Sequence, residues 1–333
     1  MPSPWPQGFP RIPDEDWCHR PIETLARKYD TVEHHGWYRN LEPTVAQLCS
    51  YLRDDHLLLD YSGGTGILTE RLIAGCPDRH FGILIVDSSP KFLRLALEKF
   101  EQEERVAFRL IRYLKDEKRL QLVDEVLERP LRERGVDALA STNAIHLYYD
   151  LEETLRSWAH VLRPGGCAFV QSGNIRNPAA APSEWIIDET VEAVHQRAMM
   201  IVGQQPRYAL YRELLDDTER MREYDRLRRK FFLPVRPLDH YNRAFRDAGF
   251  RIVGVDYHPI EARVDEWRAF LATYHEGILG WVGGSQKIEG HPPTEAALRH
   301  RLELLEAAMS QLFPHRSTFQ AGWTYITAQR KEM

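Results

Sequence analysis

Cysteine is scarce in this chain. Only four occur among 333 residues, Cys18, Cys49, Cys76 and Cys167, and no two stand in a C-x-x-C pair. That excludes the common zinc-ligand spacings, so no metal site is expected, and it offers no disulfide framework. The cysteines are expected to stand alone in a reducing, cytoplasmic setting. Long apolar runs are missing as well. No segment is long enough to span a bilayer, and the opening "MPSPWPQGFPRIPDEDW" has no apolar signal core. Positive charge is not in excess: the net charge of -5 argues against nucleic acid as the main partner. Neither nucleic acid nor membrane is therefore expected, and no pattern speaks to the oligomeric state.

What is present is a folding chain, 43% hydrophobic and 28% charged. The prolines of residues 1–20 suggest an extended arm over a surface or cleft. Ile22 to Leu52 reads as helical, with a break at His35-Gly36. Apolar strands then alternate with helical segments: Leu57–Asp60, Phe81–Asp87, Arg105–Leu114, Val136–Thr142 and Cys167–Gly173 as strands, with helices from Ile67, Pro90 and Leu151 between them. That alternation predicts an α/β fold, a mainly parallel sheet with helices on both faces and ligands at the carboxyl ends of its strands. Two later strands, in Arg251–His258 and Gly322–Arg330, bring the sheet to seven. Residues 21–176, 236–263 and 317–333 are read as the core. Residues 177–235 and 264–316 are read as two helical insertions that together make a cap over the strand ends.

The chemistry begins at "LLLDYSGGTG", Leu57 to Gly66. A strand ending in a glycine turn that opens a helix lets backbone N–H groups approach a ligand closely. Asp87 ends the next strand, where a carboxylate can accept both ribose hydroxyls of an adenosine. Together they indicate a nucleoside cofactor, and both a nicotinamide dinucleotide and S-adenosylmethionine fit. Three features separate them. The run Ser62-Gly63-Gly64-Thr65-Gly66 is not the G-x-G-x-x-G of pyrophosphate binding. Asp60 would repel a pyrophosphate but suits an amino group or a sulfonium. The phrase "HVLRPGG" precedes the fifth strand.

These stretches resemble the class I S-adenosylmethionine-dependent methyltransferases, with a Rossmann-like sheet. "LLLDYSGGTG" is most similar to the first motif of the ubiquinone and menaquinone C-methyltransferases, "ILIVDSS" to the ribose-binding second strand, and "HVLRPGG" to the phrase before the fifth strand. The resemblance implies that Asp60, Ser62, Gly63, Gly64 and Gly66 line the methionine part of the cofactor and that Asp87 and Ser88 take the ribose. Asn143 and Ala144 would border the transferable methyl, and S-adenosylhomocysteine would be the product. It also implies a reversed hairpin of the last two strands, with the seventh antiparallel. Ser62 departs from the usual first glycine. After the third strand, where the family often has an acidic residue for the adenine amine, "RYLKDEKRL" gives no clearly aligned one, and Asp116 is a candidate.

His146, in "STNAIHLYYD" just past the fourth strand, is the candidate general base and acceptor contact. Tyr29, Trp37 and Tyr38 lie in the N-terminal region that folds over the cofactor in the resembled family; Tyr29 is placed with the cofactor, Trp37 and Tyr38 with the acceptor. Ordinary helix packing is the competing reading for each. His34-His35 on a helix point apart, so packing or solvent is favoured over a metal. "RMREYDRLRRKFF", Arg220 to Phe232, is read first as a solvated face with internal ion pairs and second as a source of one arginine for an anionic acceptor. "GILGWVGGSQKIEGHPP" loosely resembles the cap of small-acid O-methyltransferases, which makes Trp281 a candidate acceptor wall. The expected function is methyl transfer to a small molecule, at carboxylate or hydroxyl oxygen before nitrogen and carbon. The rivals are a nicotinamide oxidoreductase and an inactive cofactor-binding module.

Overall fold

The computed structural model describes residues 3–332. Seven strands form the main sheet: β1 (Leu57–Tyr61), β2 (Gly82–Asp87), β3 (Val106–Leu110), β4 (Val136–Thr142), β5 (Leu162–Ser172), β6 (Phe250–Arg263) and β7 (Thr318–Arg330). Their spatial order is β6-β7-β5-β4-β1-β2-β3. β1 runs parallel to β2 and β4, and β4 parallel to β5, while β7 is antiparallel to β5. The order reverses at β1, so the carboxyl ends of β1 and β4 flank the switch point where such sheets bind ligands.

The central strands are continuous apolar runs because both of their faces are covered. Every residue of β1 and β2 is buried. Helix α1 (Thr24–Asp30) leads through two 3₁₀ turns, Thr31–His34 and Gly36–Leu41, into α2 (Glu42–Tyr51). Helix α3 (Ile67–Gly75) follows the glycine turn, and α4 (Pro90–Phe100) follows β2. Ser89 caps α4, its Oγ accepting from the Phe92 N–H, with Pro90 in the first turn where no N–H is needed. Helix α5 (Leu151–Val161) is capped by Asp150, which accepts from the Glu153 N–H at 2.9 Å.

Three local expectations are corrected. The Arg163-Pro164-Gly165-Gly166 phrase does not sit outside the fifth strand; it lies within β5, across a register shift opposite Val136–Ala138. The third strand stops at Leu110 instead of Leu114. Tyr113–Leu114 turns away and pairs with Arg119–Leu120, leaving Asp116 exposed at the tip of that hairpin. Finally, the cysteines do not all stand alone. Cys49 of α2 and Cys76, just past α3, form a disulfide, with Cα atoms 6.2 Å apart. The two are 27 residues apart, and packing of α2 on α3 brings them together. Cysteine usage therefore no longer argues for a reducing compartment. Cys18 and Cys167 are free and buried.

The N-terminal arm lies along the outer edge of β3. Phe108 N–H donates to the Arg11 carbonyl at 3.0 Å, and the Arg11 guanidinium reaches the carbonyls of Glu101, Glu103 and Val106. The arm thus covers an edge that would otherwise present unpaired backbone groups.

The chain divides into two compact units. The first runs to Ser172 and adds Pro237–Tyr257 and the stretch from Thr324. It holds most of the sheet and helix α8 (Leu238–Asp247). The second, Gly173–Arg236 with His258–Trp323, is built mainly from helices: α6 (Ile187–Gln204), α7 (Thr218–Phe231), α9 (Val264–Thr273) and α10 (Glu295–Leu312). In the second unit, Trp267 Nε1 donates to Thr190 Oγ1 at 2.8 Å, tying α9 to α6. No described helix is long and apolar enough to cross a membrane.

Candidate cofactor and acceptor site

The turn after β1 is shaped by hydrogen bonds to β2. The N–H groups of Ser62 and Gly63 both donate to the Val86 carbonyl, at 2.7 and 3.2 Å, and Gly66 N–H donates to Gly63 O at 2.9 Å. Ser62, Gly64 and Gly66 all have positive φ, at 60°, 58° and 82°. At Gly66 a side chain is also sterically excluded: a Cβ would lie 2.6 Å from Phe100 Cε2.

Two carboxylates face this turn. Asp60 is fully buried. Its Oδ2 accepts from Thr69 Oγ1 at 2.9 Å, and its Oδ1 has no partner. Burial raises its pKa to about 7, against the Thr69 hydrogen bond, with the Asp87 charge adding to the rise. Asp87, also buried, accepts from Gly64 N–H at 2.9 Å and Ser89 N–H at 2.7 Å. Burial raises its pKa too, opposed by the backbone N–H groups of Ser89, Gly64 and Ser88. Ser88 is exposed beside it. Neither carboxylate has a lysine or arginine within ion-pair distance among the described residues. Two buried, unpaired carboxylates suit a cationic ligand that also carries hydroxyls, and they would repel a pyrophosphate.

Tyr29 is drawn to this end of the sheet. Its ring stacks on Phe92 of α4 with centroids 4.7 Å apart. Its phenol pKa is held well above the ordinary value, first by the Tyr38 phenol, then by burial and a hydrogen bond with Tyr38, with Asp87 adding to it. Trp37 and Tyr38 are buried and meet edge to face at 4.9 Å. The Trp37 indole N–H donates to His35 Nδ1 at 3.3 Å, so His35 serves packing, while His34 is exposed. Among the described residues no metal-binding cluster occurs.

At the ends of β4 and β5 the side chains are neutral and polar. Asn143 has a left-handed φ of 53°, and its N–H donates to Gln171 O at 2.9 Å. The Asn40 Oδ1 accepts from Asn143 Nδ2 at 3.4 Å and from Gln171 Nε2 at 3.3 Å, and Tyr325 Oη donates to Asn40 O at 2.7 Å. Asn40 Nδ2 and Gln171 Oε1 are buried and unpartnered. Ala144 is buried, and His146 is half-buried with Nδ1 3.0 Å from Ser172 Oγ. Burial lowers the His146 pKa to about 3, so the ring is neutral at physiological pH.

The structure thus gathers Asp60, Ser62, Gly63, Gly64, Gly66, Asp87 and Tyr29 on one side, and Asn143, Ala144 and His146 at the neighbouring strand ends. Trp281 belongs to the second unit. It is 1% exposed, with its Nε1 3.3 Å from His195 Nδ1. Asp116 sits exposed on its hairpin. The basic helix α7 follows the first of its two readings only in part: Arg220–Glu223, Arg228–Asp225 and Arg229–Asp225 are pairs within the helix, but Arg228 is buried, and Arg220 and Arg228 also reach Glu289 and Glu192 of other helices.

Comparison with known proteins decides the class. The family model described as a methyltransferase domain matches residues 59–168. This segment is an S-adenosylmethionine-dependent methyltransferase domain. The residues present fit that cofactor: the unpaired Asp60 Oδ1 can take its ammonium, and Asp87 its ribose. The chain is also 30% identical over 110 residues to the hybrid PKS-NRPS synthetase apdA of Emericella nidulans, a match that covers 33% of this chain and only 3% of that synthetase. Solved structures similar to the chain include the YcgJ protein of Bacillus subtilis, at 14% identity and TM-score 0.49, covering 89% of this chain and all of that one. Another is phosphoethanolamine N-methyltransferase 2 of Haemonchus contortus, at 13% identity and TM-score 0.49, covering 97% of this chain and 62% of that one. Likenesses this distant carry no argument about the acceptor.

Residues missed by sequence reasoning are Thr69, Asn40, Gln171, Ser172 and Tyr148. Each is a polar residue in an otherwise unremarkable helix, turn or strand, and only the fold brings it to the site. For Tyr148 the sequence offers a neighbouring pair, and nothing local says that Tyr148 turns inward while Tyr149 is 71% exposed.

Proposed function

We propose that the protein transfers a methyl group from S-adenosylmethionine to a small-molecule acceptor, at oxygen before nitrogen. The observation that carries this reading is the pair of buried, unpaired carboxylates, Asp60 and Asp87, around the glycine turn. S-Adenosylmethionine supplies a methyl group on a positively charged sulfur, which is a good leaving group. Asp60 takes the ammonium through Oδ1, Asp87 takes the ribose hydroxyls, and Tyr29 covers the cofactor. Asn143 and Ala144 border the position of the methyl.

The acceptor side is inferred from the ends of β4 and β5. The described groups there are amides, hydroxyls and a neutral imidazole, which suit a hydroxyl better than a phosphate or another anion. In the tautomer that donates Nδ1–H to Ser172 Oγ, His146 has the Nε2 lone pair to accept a hydrogen bond from the acceptor O–H. The burial that keeps this ring neutral also makes it a weak base, far from the pKa that suits general-base work near neutrality. Its main role is therefore to orient the acceptor oxygen, and the acceptor's proton is released to solvent. Orientation of two bound reactants can by itself supply about 7–11 kcal/mol of barrier reduction.

The test is incubation of the purified protein with methyl-labelled S-adenosylmethionine and panels of phenols, alcohols, carboxylates and amines. The expected result is release of S-adenosylhomocysteine together with a labelled hydroxyl compound. Label appearing only in amines or carboxylates would overturn the oxygen assignment. No turnover with any acceptor, despite tight cofactor binding, would favour an inactive binding module.

A further inference from the structure

We propose that Tyr148 is a positioning residue for the cofactor turn and acts through Ser62; this rests on the cofactor-site reading above. Ser62 stands where the resembled motif has glycine. Its φ of 60° lies in the left-handed region, which a residue with a Cβ rarely adopts. The backbone is committed to that shape, because the Ser62 and Gly63 N–H groups both bond the Val86 carbonyl. A serine can hold such a conformation when its side chain is anchored, and the anchor is visible. Ser62 Oγ lies 3.0 Å from Tyr148 Oη, which lies 2.8 Å from Ser141 Oγ.

The phenol is itself a fixed point. Its ring meets Tyr61 edge to face at 5.5 Å and Trp158 at 5.9 Å, and Trp158 is fully buried. Three hydroxyls therefore link the glycine turn to β4 through an aromatic ring that cannot follow the turn if it moves. Each hydroxyl has one hydrogen to donate and lone pairs to accept, so the chain is self-consistent. Loss of the phenol oxygen would leave Ser62 left-handed with no anchor. The turn would relax, and with it the Gly64 N–H that Asp87 accepts.

The experiment is a double-mutant cycle over the wild type, Tyr148→Phe, Ser62→Gly and the double variant. S-Adenosylhomocysteine affinity is measured by calorimetry, and amide hydrogen exchange at residues 63–66 is measured without ligand. Tyr148→Phe should weaken binding about three- to tenfold, through loss of the neutral Tyr148–Ser62 hydrogen bond, and speed exchange at those amides. Ser62→Gly removes the need for an anchor, since glycine adopts positive φ freely. In that background Tyr148→Phe should cost less than about twofold. An equal loss in both backgrounds would overturn the proposal and assign Tyr148 to packing alone, as would unchanged binding and exchange in Tyr148→Phe. A wild type that fails to bind S-adenosylhomocysteine would instead count against the cofactor-site reading, and the exchange cycle would still decide the Tyr148–Ser62 coupling. If Tyr148→Phe does not fold, Ser62→Ala removes the same hydrogen bond from its other end while keeping the Cβ, and it should weaken binding and speed exchange relative to both the wild type and Ser62→Gly; no difference would overturn the proposal.

Discussion

The Asp87 carboxylate accepts a hydrogen bond from the backbone N–H of Gly64 at 2.9 Å, which ties the end of β2 to the glycine turn after β1. One side chain thus shapes the turn and, in the proposed function, also takes the ribose of the cofactor. Asp87→Ala should weaken S-adenosylhomocysteine binding by about 1.5–3 kcal/mol, roughly ten- to a hundredfold, through loss of charged hydrogen bonds. Calorimetry checks this, and an affinity unchanged by the substitution would remove Asp87 from the site.

Asp60 should trade stability for binding. Its folded pKa, about 7, lies above the ordinary carboxylate value of 3.8. A raised carboxylate pKa means that the native state holds the proton more tightly than the unfolded chain. This group therefore costs progressively more stability as pH rises from about 4 to 7, and the cost levels off above that. Asp60→Asn should stabilise the ligand-free protein by about 2–4 kcal/mol at pH 8 and by clearly less at pH 5, while weakening cofactor binding. Thermal melts at both pH values, paired with calorimetry, would show it; a variant less stable than wild type at pH 8 contradicts the assignment.

His146 has the opposite sign. Its folded pKa, about 3, lies below the ordinary value of 6.5, so the unfolded chain binds the proton first. The stability it contributes is present above pH 6.5 and is lost as pH falls toward 3, at up to about 1.4 kcal/mol per pH unit. His195, lowered to about 4, adds in the same direction, while Asp60 and Asp188, both raised to about 7, oppose it. His146→Asn should flatten the melting profile between pH 6.5 and 4.5 and lower turnover more than cofactor affinity. A parallel loss of both activities would point to a packing role.

The disulfide makes a separate prediction. Closing a loop of 27-residue separation can stabilise by about 3 kcal/mol through the unfolded state. Under non-reducing conditions, alkylation and mass spectrometry should find two reactive thiols after unfolding instead of four. Reductant or Cys49→Ser should lower the melting temperature; four free thiols in the unfolded wild type would refute the pairing.

Trp281 should behave as core. With 1% exposure and an indole N–H on His195, Trp281→Ala should destabilise the helical unit by about 3–5 kcal/mol. Chemical denaturation tests this, and a loss below about 1 kcal/mol would return the residue to the acceptor-wall reading.

Much of the cofactor half was legible in the chain because its signals are local. A glycine turn needs positive φ within a few residues, and Ser89-Pro90 announces a helix start by capping chemistry. The α4 helix, Pro90–Phe100, and the β4 strand, Val136–Thr142, coincide with their sequence readings. The acceptor half was less legible. Asn40 and Gln171 are 131 residues apart in the chain, and no periodicity or motif marks two amides that will meet. Cys49 and Cys76 were misread for the same reason: their spacing matches no known pattern, and helix packing alone joins them.

By itself the sequence determined the α/β order of strands and helices, the glycine turn, and the two aspartates near the carboxyl ends of β1 and β2. Each follows from interactions between residues close in the chain, or from alternation that a buried parallel sheet imposes on every strand. Only the tertiary structure decided which polar side chains are left without partners, which tyrosine of the 148–149 pair turns inward, and which arginines are already neutralised by carboxylates. Those outcomes depend on burial and on contacts between distant segments, where desolvation makes a single unpaired oxygen costly enough to mark a site.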